Sequence, residues 1–66
     1  MNGHNNIYFV LFGADRYRPA AHFRACKKRF DHLPAARAYA AAFRNAYIFK
    51  AHFRRGGDDP DITEIR

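Results

Sequence analysis

Only one cysteine and one methionine occur in these 66 residues, tryptophan is absent, and acids number six against twelve Lys and Arg. The lone Cys26 cannot close an intrachain disulfide. No CxxC or CxxC…HxxxH spacing suggests a structural zinc, so a reducing compartment fits best. The longest wholly apolar runs, Ile7 to Phe12 and Ala38 to Phe43, have six residues each, whereas a membrane helix needs about 20. The opening Met1-Asn2-Gly3-His4-Asn5-Asn6 lacks the basic-then-apolar layout of a secretion signal. A cytoplasmic protein with no membrane partner is expected. There is no GxSxG, no glycine-rich phosphate loop and no obvious Cys-His pair, so neither an enzyme nor a cofactor is expected. A chain this short buries only about 60% of the surface its unfolded form exposes, which excludes large clefts and two-domain active sites.

What is present is aromatic. Seven Phe and four Tyr stand against seven Val, Ile and Leu together, with twelve Ala filling much of the remainder. The apolar class reaches 48% of the chain, too much for a permanently solvated coil, and a buried aromatic ring covers about 150–250 Å². Phe and Tyr rings packed on Ala-lined surfaces must therefore build the core.

Ile7 to Phe12 is short, aromatic and branched, and ends at Gly13-Ala14-Asp15, the pattern of a central strand apolar on both faces. Leu33, Ala36, Ala40, Phe43 and Ala46 share one helical face with Tyr39 beside it, predicting a helix over 33–46. Asp31 or His32 would cap it, and Pro34 suits its first turn. Tyr47, Phe49, Ala51 and Phe53 then alternate with Ile48, Lys50, His52 and Arg54, as in a strand with one wet face. Gly56 to Asp61 breaks regular structure, and Ile62 to Arg66 reads as a short edge strand or a tail. Pro19 to Phe30 is open. As a helix it groups Phe23, Cys26 and Phe30; as a strand it puts Phe23 and Phe30 on opposite faces unless a bulge intervenes. Because a two-stranded sheet is marginal, the expected fold is α+β, a three-stranded antiparallel sheet with one helix packed on it (ββαβ), with βααβ as the alternative.

Charge divides the chain. Residues 1–55 carry eleven cations and two acids, while residues 56–66 carry one cation and four acids. A basic body of +9 thus precedes a tail of −3. Arg24, Lys27, Lys28 and Arg29 in one segment, and Lys50, His52, Arg54 and Arg55 in the other, interleave with Phe30, Phe49 and Phe53. That mixture suits nucleic acid, because cations neutralise phosphates while rings stack on bases; a solvated basic strand shows the same alternation. On a strand, Lys50, His52 and Arg54 would form a row with about 6–7 Å between neighbours, and the acids of the tail could fold back over it. His4, His22, His32 and His52 lack metal-ligand spacing. His22 and Cys26, four apart, make half a site at best, and the acids at 58, 59 and 61 lack the layout of an EF-hand. No metal is expected.

In element order, Ile7–Phe12, His22–Phe30, the helix beginning near Phe30-Asp31-His32-Leu33-Pro34-Ala35-Ala36, and Tyr47–Arg54 resemble small phage-encoded proteins that pack one helix on a three-stranded sheet. The resemblance spans about 45 residues and carries no functional residue across; it implies a small host-directed regulator. The residues themselves predict a non-enzymatic binding module whose partner is nucleic acid. The alternative is a protein-interaction module or inhibitor docking its basic face or an edge strand on an acidic protein. A homodimer through sheet edges is a further arrangement open to so small a chain.

Overall fold

The computed structural model describes residues 6–56 and 59–66; His4 and residues 57–58 lie outside them. Strand β1 (Asn6–Phe12) pairs on one side with a two-residue β2 (Arg29–Phe30) and on the other with β3 (Ala46–His52). Strand β4 (Asp61–Ile65) pairs with β3, giving a four-stranded antiparallel sheet in the order β2-β1-β3-β4. The α+β class holds, and the sheet has one strand more than expected. Among the described residues no helix is long and apolar enough to cross a membrane.

Alternation along β1 explains why it is apolar throughout. Phe9 and Leu11 point to one face, where Phe23 of helix α1 (Pro19–Phe23) packs 4.9 Å from Phe9 between ring centroids. Val10 and Phe12 point to the other, where Phe12 meets Tyr39 of helix α2 (Leu33–Ala40) and Phe43 just beyond it. Burial is deepest on this strand and its neighbour: Phe9 is 0% exposed, Val10 and Phe49 2%, Ala51 0%, and Ala36 of α2 0%. Aromatic packing builds the core, as the composition requires, with the fully buried Ala36 and Ala51 beside the rings.

Segment 19–30 holds both a short helix and a short strand. Pro19 opens α1, which lasts five residues, and the chain then returns as β2. Phe23, Cys26 and Phe30 therefore do not share a helical face. Phe23 and Cys26 enter the α1-side core, whereas Phe30 crosses to the α2 side, 5.6 Å from Tyr39. Helix α2 begins after His32, with Pro34 in its first turn and no side-chain cap. It stops at Ala40 rather than 46, because the bonds from Ala42 N–H to Tyr39 O and Phe43 N–H to Ala40 O tighten its end into a 3₁₀ turn. That early stop frees Ala46 to join β3. A 3₁₀ segment, Gly13–Tyr17, links β1 to α1. Gly13 has φ +59°, the left-handed region that favours glycine, and its N–H donates to Asn45 O at 3.0 Å.

Candidate functional site

The tail folds back. Asp59 accepts from the Arg24 guanidinium at 3.2 Å, and Asp61, opposite His52 in the β3–β4 register, accepts from Arg54 Nε at 3.1 Å. Asp59 and Asp61 are two residues apart, a span of about 7 Å in extended chain. One short stretch of tail therefore ties a cation of α1's C-terminal turn and a cation beyond β3 to the same end of the sheet. All four side chains are more than half exposed, where an ion pair contributes about 0–1 kcal/mol. These links are easily exchanged for another anion.

Between α1 and β4, at this end, lies a groove of about 600 Å³. Phe23 and Phe53 form its floor, with ring centroids 6.0 Å apart, and Ile62 adds an apolar wall. Arg24 and Asp59 stand at its rim. Arg29 also lines it, but its guanidinium is committed: it donates to Phe23 O at 2.8 Å and Cys26 O at 3.1 Å, and lies 4.4 Å from the Phe23 ring centroid. Those carbonyls belong to the C-terminal end of α1 and its turn, where Phe23 O also accepts from Cys26 N–H at 3.2 Å, so Arg29 closes the helix as a cap.

The remaining expected site residues separate. Arg29 pairs with Phe9 and so lies on the α1 face, whereas Lys50 pairs with Tyr8 and Thr63 and lies on the α2 face with His52. The basic row along β3 is two residues long, because the strand ends at His52 and Arg54 leaves it to meet Asp61. His52 is held at 2.6 Å between its Nδ1 and Asn6 Oδ1. Lys27, Lys28 and Arg29 cannot extend the row, since β2 borders β1 rather than β3. Lys27 and Lys28 instead line a separate cleft of about 280 Å³ together with His22 of α1 and Tyr39 of α2, with Lys28 Nζ 5.6 Å from the Tyr39 ring centroid. Arg55 is exposed in the turn after β3. The structure thus gathers Arg24, Arg54 and Arg55 at one end of the sheet, with Lys50 and His52 on the flank, and leaves Lys27 and Lys28 elsewhere.

Three features were not singled out from sequence. Phe23 and Phe53 as a groove floor, and Asp59 as the partner of Arg24 across 35 positions, carry no local signal; only the acidity of the tail hinted at the last. Arg16 lies between Tyr17 and Tyr47, 4.8 and 4.3 Å from their ring centroids, and its hydrogen bond to the Tyr17 hydroxyl raises its pKa above the ordinary value. In the smaller cleft His22 Nε2 lies 3.4 Å from Asp15, while the Cys26 thiol donates to the carbonyls of Lys28 and Val10. Among the described residues no group of three or more His, Cys, Asp or Glu is placed to hold a metal. No family model, curated protein or solved structure matches the chain.

Proposed function

We propose that this protein is a non-enzymatic module that binds nucleic acid with the end of its sheet, through Arg24, Arg54, Arg55 and Lys50. One observation carries the reading: Arg24 and Arg54 hold two carboxylates of the chain's own tail, in exposed pairs, beside an aromatic floor. Carboxylates there stand where phosphates would, and phosphate binding with adjacent rings is the chemistry of sequence-tolerant nucleic-acid surfaces. Each phosphate neutralised on a single strand contributes about −0.7 to the slope of log K against log salt, so four contacts give a slope near about −3. Charge reversal in Lys50→Glu with Arg55→Glu, which leaves both tail ion pairs in place, should abolish oligonucleotide binding measured by fluorescence anisotropy. Binding that survives at low salt would overturn the reading.

The free outer edge of β4 and the exposed rings of Tyr17 (72% exposed) and Phe43 (45%) support a second reading, docking on an acidic protein. Retention of one stoichiometric protein from nuclease-treated lysate, with no oligonucleotide binding, would favour it.

A further inference from the structure

We infer that the groove between α1 and β4 receives one unstacked base of a single-stranded nucleic acid, whose phosphate displaces Asp59 from Arg24. The inference deepens the nucleic-acid reading and rests on it. The groove's volume, about 600 Å³, falls within the range of about 300–1,000 Å³ typical of small-ligand sites. Its floor offers the half-buried Phe53 ring beside Phe23, and Ile62 closes one side. The two rings are tilted by 51° and Phe23 is buried, so a planar, apolar-faced group stacks on Phe53 alone. At the rim a guanidinium and a carboxylate face each other at 3.2 Å, with side chains 79% and 83% exposed. An occupant that stacks on Phe53 and replaces Asp59 on Arg24 is flat and apolar at one end and anionic at the other, and a nucleotide has both parts. Arg29 cannot serve as a second phosphate ligand, because its donors already close α1. A base inside a duplex is stacked on both faces and cannot enter, so the site selects single strands.

Asp59 becomes an internal competitor. Its removal should tighten binding by the worth of one exposed ion pair, about two- to fivefold at low salt. The effect must run through Arg24.

Fluorescence anisotropy on the full-length protein tests this with three probes: a labelled oligothymidylate, an abasic oligomer of equal charge, and a duplex. Asp59→Asn should tighten oligothymidylate binding about two- to fivefold, and the gain should vanish when Arg24→Ala is added. Wild-type protein should bind the abasic oligomer at least about fivefold more weakly than oligothymidylate, as expected when stacking is lost. The abasic arm uses the unaltered chain, so it decides the matter even if a substituted chain fails to fold. Equal affinity for the oligothymidylate and the abasic oligomer, a neutral Asp59→Asn, or a gain that persists without Arg24 would each overturn the groove assignment. In those cases nucleic-acid binding by the sheet end still stands. Absence of any oligonucleotide binding at low salt would overturn both.

Discussion

Arg29→Ala should cost this domain about 2 kcal/mol, a large share of the few kcal/mol that a core of this size supplies. The Arg29 guanidinium donates to Phe23 O at 2.8 Å and Cys26 O at 3.1 Å, with a longer contact to Arg24 O at 3.4 Å. Hydrogen bonds from a charged donor are worth about 1.5–3 kcal/mol. Because Arg29 is exposed, the low end, about 1.5 kcal/mol, covers the set. Stacking on the Phe23 ring at 4.4 Å adds about 0.5 kcal/mol. For a domain of 60–100 residues, 1 kcal/mol moves the melting temperature by about 4–8 °C, so the midpoint should fall by about 8–16 °C. Thermal and urea unfolding followed by far-UV circular dichroism measure both quantities. Arg29→Lys keeps the charge but presents a single ammonium instead of a fork, and should recover less than half of the loss. If Arg29→Ala unfolds within about 0.5 kcal/mol of wild type, the range of ordinary surface substitutions, the capping role is wrong. A folded Arg29→Lys protein that has lost oligonucleotide affinity more than about twofold would place Arg29 on the partner surface instead, since a change that small is ordinary for a residue outside the contact.

Phe9→Ala removes the largest fully buried side chain, which touches both Phe23 and Phe49. Its cost of about 3–5 kcal/mol should leave the chain unfolded at room temperature, visible as loss of dispersion in a proton–nitrogen correlation spectrum. A chain ending at Gly56 loses all of β4, uncovering the β3 edge and the flank of Ala51 that Ile62 faces. It should lose cooperative melting and bind a hydrophobic dye; a sharp transition would show that three strands suffice. Truncation is for the same reason a poor probe of shielding by the tail, which the Asp59 and Asp61 side chains report separately.

Where local pattern and tertiary need agree, the elements are readable. The two-sided apolarity of Ile7 to Phe12 marks a strand covered on both faces, and the alternation from Tyr47 to Phe53 marks β3 with its buried side correct at Phe49 and Ala51. Helix α2 starts where Pro34 and the apolar spacing say it should. Its C-terminus is not legible, because Ala41 to Asn45 has good helix propensity and yet must turn to bring Ala46 opposite Phe12. Segment 19–30 resisted a single assignment because it changes faces of the sheet between Phe23 and Phe30, and a period fitted across such a crossing mixes two environments. The site was legible as charge and not as place. Cations at 24 and 54 meet only through acids at 59 and 61, and the pairing of β4 with β3 that brings them together is a long-range event without a local signature.

The two borders of the sheet are unequal. At one, β2 offers two residues, and the side chain of Arg29 turns back from it onto α1. At the other, β4 presents five residues along its whole length. A strand added to β4 would find a partner five residues long, whereas one added to β2 would find two. Among the described residues, growth by strand addition therefore has one long border to start from, and the opposite border gives a second added strand only the two residues of β2.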